Sequence, residues 1–409
     1  MNERDIKVID PNDSLATSTS VIGVKIKDFS LPHSMINTLV IREYYYVSVP
    51  LMTLTLLDSG MFINFIPLEE DDEISVEISV GSEEDTIRAT FYMKNYWIEP
   101  LGESTINHNY VHIVGYLKCT DLVSPIKTRS FHKKKSSEVV SQVAKEMGLK
   151  VDIRESSRDA MNWLQVSQNN YTFLNDVLKR SYTKNNTTNF VYTTLEGTMV
   201  FTNLERELNS KPKYILERDF EKVNNFDENV YIGEGLDKIY YTSKTYENYA
   251  FVANVTDGLN ATLLKYYKDG VEVTEKIFNR EPKLAKNIFR RKDNIGKETK
   301  EVFLGHNTSR NFHGNFFKSI VQNDYYTMDF FSNSVVVTTR PRKDLQLFDK
   351  VTYKPIVGED ISDDIHSGDY LVSGKVHILG VDTKYAMLVI LNRNSDNRKD
   401  SIVGKNGIS

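Results

Sequence analysis

Residues 74–80 read Ile74-Ser75-Val76-Glu77-Ile78-Ser79-Val80. Apolar and polar side chains alternate without a break. Successive side chains of a strand point to opposite faces, so this is a strand with one buried and one wet face. The same period recurs on both sides of it. Upstream, Val21, Ile22, Val24 and Ile26 alternate with Lys25 and Lys27, and Thr38–Tyr46 and Leu51–Leu57 are further strand candidates. Leu31-Pro32-His33-Ser34 and Asp58-Ser59-Gly60 are turn signals between them. Downstream, the polar run Gly81–Asp85 reads as a loop, followed by strands over Ala89–Ile98 and Tyr110–Lys118. The expectation for residues 20–120 is one antiparallel β domain of about six strands, after a loose polar arm over 1–20.

Whole-chain composition agrees with a β-rich protein. The chain has 409 residues, with 23 Tyr and 20 Phe against 10 Pro, and aromatic residues favour pleated, half-buried surfaces. Hydrophobic residues are 40% and charged residues 26%, which excludes whole-chain disorder. At about 150 residues per domain the length predicts two to four domains. The net charge of −5 argues against nucleic-acid binding through the overall field. The single cysteine, Cys119, excludes an intrachain disulfide or a cysteine-built zinc site, and reads as a strand-end core residue. No apolar run approaches the ~20 residues of a membrane span, and Met1–Asp10 has no signal core. The expectation is a soluble protein of a reducing compartment with no membrane segment.

Beyond residue 120 the period changes. Ser136-Ser137-Glu138 starts a helix by capping logic, Val140, Val143, Ala144 and Met147 share a face, and Gly148 ends it as a left-handed C-cap. A second helix is expected over Thr172–Tyr182. A hairpin follows, with Phe190–Thr194 and Thr198–Thr202 joined by Leu195-Glu196-Gly197. Further strands are expected at Asp237–Thr242, Tyr249–Val255, Tyr325–Phe331, Ser334–Thr339, Tyr370–Leu379 and Lys384–Asn392, with a hairpin signal at Lys268-Asp269-Gly270. The domain reading is therefore 1–120 as a first β domain and 121–212 as a small α/β domain. A discontinuous second β domain takes 213–255 and 325–395, around an insert over 256–324. A flexible tail covers 396–409.

Two stretches share an order of elements. Ile74–Val80, Ala89–Ile98 and Tyr110–Lys118 run parallel in sequence to Lys350–Val357, Tyr370–Leu379 and Lys384–Asn392. The match fits two similar β domains, or the general likeness of β hairpins.

Catalytic patterns are missing. The eight histidines form no HExxH, and His108 and His112 lie four apart in a strand context. The carboxylate runs Glu69–Glu73, Glu83–Asp85 and Asp363-Asp364 read as solvated loops rather than a glycosidase pair. There is no nucleophile elbow, P-loop or dinucleotide fingerprint, and Gly233-Glu234-Gly235 reads as a turn. The basic clusters Lys133–Lys135, Arg290–Lys292 and Arg340–Lys343 read as solvated loops or subunit edges. No catalytic, cofactor-binding or metal-ligating residue is assigned.

Ser136–Leu149, Ser156–Tyr182 and Asn189–Leu204 together resemble the baseplate hub proteins of contractile-tailed phages, a family similar to late-control tail proteins and to the hub half of type VI spike proteins. The matching positions are Trp163 ahead of a polar loop, Phe173-Leu174 in the second helix and the Gly197 turn. Leu54–Asp58, Ile74–Val80 and Ser367–His377 also fit, so the resemblance covers nearly the whole chain, while 256–324 carries no readable family pattern. The fold it implies is mainly β (α+β): two tail-tube-like antiparallel β-barrels, an α/β insert and a further small insert. The function it implies is a non-enzymatic structural hub. A homotrimeric ring adapts the sixfold tail tube to the threefold central spike, its sheets aligned edge to edge, and DNA passes through the lumen without specific binding. The implied partners are a separate spike protein, a tail tube or tube-initiator protein, and baseplate wedge or tape-measure proteins. The implied location is the virion tail baseplate, after assembly in the host cytoplasm. The alternatives are a receptor- or carbohydrate-binding tail module and a tail-associated cell-wall hydrolase.

Overall fold

The computed structural model describes residues 20–46, 49–59, 66–80, 82–101, 109–119, 122, 125–185, 187–217, 237–248, 261–268, 270–277, 299–307, 312–331, 333–339, 341–357, 361–362, 366–380 and 385–393. The fold is mainly β, as expected. The first part holds β1 (Ser20–Ile26), β2 (Phe29–Ser30), β3 (Ile36–Tyr44), β4 (Leu51–Asp58), β5 (Glu73–Val80), β6 (Ser82–Pro100) and β7 (Asn109–Leu117). Their neighbour order is β3-β4-β7-β6-β5-β1-β2, antiparallel throughout. The alternation at 74–80 does what its period requires, since Ile74, Val76 and Ile78 are fully buried in the core. The polar run after Val80 differs from expectation. Val80 already faces Ser82, and β6 is one 19-residue strand from there to Pro100. The regular pairing with β5 begins at Ile87, opposite Ile78, and beside it Arg88 pairs with Glu77 at 2.7 Å.

The middle part contains β8 (Lys127–Lys134), α1 (Ser136–Glu146), β9 (Lys150–Ile153), β10 (Met161–Gln168), α2 (Asn170–Arg180), β11 (Asn189–Thr193), β12 (Thr198–Asn203) and the short α3 (Leu204–Leu208). Helix α1 starts as the sequence indicates. The Lys135 backbone N–H donates to Glu138 at 3.0 Å, and buried Asp159 accepts from the Ser136 N–H and hydroxyl. Gly148 ends it with φ +76°, a conformation that costs other residues a clash at Cβ. Helix α2 begins two residues earlier than expected because Asn169 caps it, accepting from the Thr172 N–H at 2.8 Å. The ribbon β8–β10 has no strong period and was not legible.

The last part carries β13 (Tyr214–Glu217), β14 (Asp237–Asn248), β15 (Ala261–Lys268), β16 (Val271–Ile277), β17 (Thr299–Asn307), α4 (Phe316–Phe330), β18 (Asn333–Thr339), β19 (Lys350–Lys354), β20 (Ile356–Val357), β21 (Ile361–Ser362), β22 (Gly368–Gly380) and β23 (Tyr385–Arg393). Strands β15, β16 and β17 form a separate small sheet within the expected insert, with the hairpin at Gly270. The strand expected at Tyr325–Phe331 is instead the end of helix α4, which spans the expected 324/325 division. Tertiary contacts override the aromatic β-preference there. Asn323 donates to the carbonyls of Leu178, Lys179 and Ser181 at the end of α2, at 2.8–3.1 Å. Ser319 and His313 reach the Arg180 carbonyl. The last carbonyls of a helix have no donor four residues on; Leu178 also accepts from Ser181. The expected arm, Tyr249–Val255, Gly233–Gly235, Arg290–Lys292 and the tail lie outside the described residues.

Strands β13, β14, β18, β23, β22 and β19 each pair with the next, and β19 pairs back to β13. This closed barrel surrounds a second core containing Tyr241, Tyr353, Tyr370 and Val389. Five of its strands, in the order β14-β18-β23-β22-β19, repeat the chain order and antiparallel directions of β3-β4-β7-β6-β5. The sixth differs, because β13 is parallel to β19 whereas β1 is antiparallel to β5. The two halves join through β22 and β3 into one 13-stranded sheet.

Candidate functional site

The junction of the two halves holds a buried pair of opposite charges, Glu43 and Lys375. Along it Gly374 faces Tyr44, Lys375 faces Glu43, and the register runs to Gly380 facing Thr38. Glu43 and Lys375 therefore lie directly across the β3–β22 pair, on one face. His377 follows two residues along that face, and Tyr385 reaches in from β23. All four are buried. Lys375 Nζ lies 2.9 Å from Glu43 Oε1, and His377 Nε2 lies 3.3 Å from the same oxygen. The second oxygen, Oε2, accepts the backbone N–H of Leu195 at 2.9 Å, from the turn between β11 and β12. His377 Nδ1 is 2.5 Å from the Tyr385 hydroxyl. The tautomer with hydrogen on Nε2 satisfies the chain, since His377 then donates to Glu43 and accepts from Tyr385. One carboxylate thus ties together both β halves and the α/β domain.

The electrostatics follow from burial and pairing. Burial pushes the Glu43 carboxyl up, but the Lys375 charge and the His377 hydrogen bond outweigh it and hold it down at about 2. Burial lowers the His377 imidazole against the opposing pull of Glu43, so the ring is neutral, and burial raises the Tyr385 phenol. The site is one satisfied ion pair extended by neutral donors. Its geometry suits a cross-brace. Gly374 makes the approach possible: a Cβ there would lie 2.9 Å from Ile390 Cδ1 and 3.0 Å from Tyr44 Cδ1.

A cleft of about 640 Å³ opens beside this junction, lined by Asp152, Arg154, Glu196, Lys343, Asp344 and Gln346 among others. Three of its charged residues are in ion pairs. Arg154 pairs with Asp152 and with Glu207, each at 3.2 Å, and Asp344 pairs with Arg342 at 3.0 Å.

The residues singled out by sequence are mostly structural. Trp163 is buried and donates its indole N–H to the Lys134 carbonyl at 2.8 Å, while Phe173 stacks on Phe131 with centroids 5.5 Å apart. Cys119 follows β7 and packs, half-buried, against the first core. His112 stacks on Trp97 at 4.8 Å and contacts Glu99. Among the described residues no three His, Cys, Asp or Glu side chains are placed to hold a metal. No described helix is long and apolar enough to cross a membrane. Glu43 and Lys375 were missed, although their signal is present. Leu39, Ile41 and Glu43 share one parity on β3, as Lys375, His377 and Leu379 do on β22, so charges fall where the pattern calls for apolar residues.

No protein-family model matches the sequence, and no curated protein matches it. Solved structures do. The chain is similar to the 43 kDa tail protein of prophage MuSo2 from Shewanella oneidensis, with TM-score 0.57 and 12% identity, covering 92% of this chain and 98% of that one. It is also similar to a tail protein from Neisseria meningitidis MC58, with TM-score 0.55 and 9% identity, covering 92% and 97%. The chain shares the fold of these two tail proteins over nearly the whole length of all three chains.

Proposed function

We propose that the chain is a structural hub of a contractile phage tail baseplate. Three copies form a ring that adapts a sixfold tube to a threefold spike and encloses part of the DNA passage. One observation carries the reading: a single chain builds the same five-strand arrangement twice and fuses the two through β3 and β22. Three such chains present six equivalent units, which is what matching sixfold to threefold symmetry requires. The full-length likeness to two tail proteins supports it. The interior charges are committed to bracing, which fits a mechanical part and gives no reason to assign a reaction. The partners are a spike protein on one side and a tube or tube-initiator protein on the other, with wedge and tape-measure proteins as further neighbours in the virion tail. The division into 1–120, 121–212, 213–255 with 325–395, 256–324 and 396–409 is part of the same proposal. The test is the mass in solution of the purified chain, alone and with its spike. A trimer, or a 3:3 complex formed on mixing, is expected. A monomer indifferent to the spike overturns the reading.

A further inference from the structure

The ribbon of β8 and β10 is built inside out at one end. Trp163, Leu164, Gln165 and Val166 follow one another on β10, and the first and third face inward. Gln165 is fully buried, whereas Leu164 and Val166 are 61% and 60% exposed. Polar neighbours hold the buried amide: it accepts from Arg129 Nε at 2.7 Å and donates to the Gln168 carbonyl at 2.9 Å. An amide thus takes the inner place and two aliphatic side chains the outer one, the reverse of what burial favours. Across the ladder the outer face continues with Thr128, Ser130 and His132 of β8, all exposed. Ile126, just before β8, is 70% exposed.

Two bulges shape this ribbon. The pairing shifts between Met161 and Trp163, where Lys133 has φ +48°, and between Gln165 and Gln168, where Ser167 has φ +50°. A side chain of the facing strand fixes each one. The Lys133 N–H donates to Asn162 Oδ1 at 2.9 Å, and the Ser167 N–H donates to Thr128 Oγ1 at 3.1 Å. Left-handed positions cost residues other than glycine, and bulges re-aim the side chains beside them. Charge is arranged with equal bias. The whole chain carries −5, yet β8 and β10 hold Lys127, Arg129, Lys133 and Lys134 and no carboxylate. Glu146 of α1 pairs with Lys127 and Arg129. No described carboxylate pairs with Lys133 or Lys134, and both are exposed. No described strand pairs with the second edge of β8 or of β10.

We infer that the outer face of β10, with the β8 lysines beside it, docks an extended acidic segment of another protein, one that carries apolar side chains between its carboxylates. The surface stands apart from the ring reading and needs no second copy of this chain. Leu164 and Val166 form an aliphatic strip, and covering it removes apolar area from water. Lys133 and Lys134 lie along the same ribbon toward Met161 and supply the charge that selects carboxylates. An extended segment can also bond the open backbone edge. Nucleic acid is the weaker fit. The aliphatic strip offers phosphates nothing, and Phe131 and Trp163 face inward, so neither stacks a base on this face.

The test uses the full chain and three short labelled peptides, which alternate Glu with Val, Lys with Val, and Glu with Ser. Fluorescence anisotropy reads their binding beside that of a short DNA duplex. The Glu/Val peptide is expected to bind saturably, and at least about tenfold more tightly than the other two peptides or the duplex. Leu164→Ser with Val166→Ser should weaken it about tenfold, and Lys133→Glu with Lys134→Glu should pass the preference to the Lys/Val peptide. All four side chains are exposed, so the denaturation midpoint should stay unchanged in both double variants. No saturable binding of the Glu/Val peptide overturns the inference, as does binding that neither double variant alters. Tighter binding of the duplex, lost with the lysines and kept without Leu164 and Val166, makes the face a phosphate contact and overturns it too.

Discussion

The two barrels share five strands but are finished differently. The second is closed by β13, a four-residue strand lying parallel between β14 and β19. In the first, β1 lies antiparallel beside β5, and no described strand joins β1 to β3. The second barrel's β22 has its edge filled by β3 of the first, while no described strand pairs with the corresponding edge of β6 beyond Met93. The internal junction is also braced by Glu43, Lys375, His377 and Tyr385, and its counterpart at Asn95–Glu99 holds exposed aromatic and aliphatic side chains. A permanent contact tolerates a buried ion pair because it is desolvated once, at folding. A contact made between molecules is better built from apolar surface.

Removing one partner of the brace produces the largest expected effect. Glu43→Ala leaves the Lys375 ammonium buried with its carboxylate gone, and loss of one member of a buried pair costs about 3–5 kcal/mol. Chemical denaturation should show a midpoint falling accordingly. Glu43→Met combined with Lys375→Met removes both charges and should recover much of the loss. If the double variant is no better than Glu43→Ala, the brace acts through something other than its charge pair.

Acid probes the same pair without mutation. The Glu43 carboxyl sits at about 2 in the fold against an ordinary 4.5, so the folded state holds its proton less tightly than the unfolded chain. Its contribution is complete above the ordinary value and disappears as pH falls from there toward about 2, a loss of about 3 kcal/mol over the window. His377 acts in the same direction at higher pH. Its folded value is lowered, so the unfolded chain takes up a proton first, and stability begins to fall below the ordinary imidazole value of 6.5. Denaturation at stepped pH should show both losses, with the carboxylate part missing in Glu43→Gln.

The fold was legible where the period was clean. The strand at 74–80, the helix ending at Gly148 and the hairpin turning at Gly197 all follow from local chemistry, and the element repeat near the two ends pointed to paired β units. Helix α4 was not legible. Its residues Tyr325, Tyr326 and Phe330 look strand-forming, and the carbonyls that Asn323 satisfies lie over 140 positions away, at Leu178–Ser181. The junction was half legible. A Glu and a Lys on buried parities are visible in sequence, but their pairing across more than 300 residues belongs to topology. Asn323→Ala tests the α4 account: it strips the donor from the end of α2, and a loss of about 1–3 kcal/mol is expected in denaturant.

The substitutions that compare the halves most directly, and that include the smallest expected effect, lie at Gly374 and Asn95, each the first paired residue after a bulge, on β22 against β23 and on β6 against β7. At Gly374 a methyl group meets Ile390 and Tyr44 at 2.9 and 3.0 Å, so Gly374→Ala overpacks the junction and should cost about 1–3 kcal/mol in the isolated chain. At Asn95, the aligned site on β6, the side chain is exposed, and Asn95→Ala should change the isolated chain by less than about 0.5 kcal/mol. A costly Asn95→Ala in dilute monomer would mean that the edge is already covered within the chain, and the two barrels would then differ only in how they close.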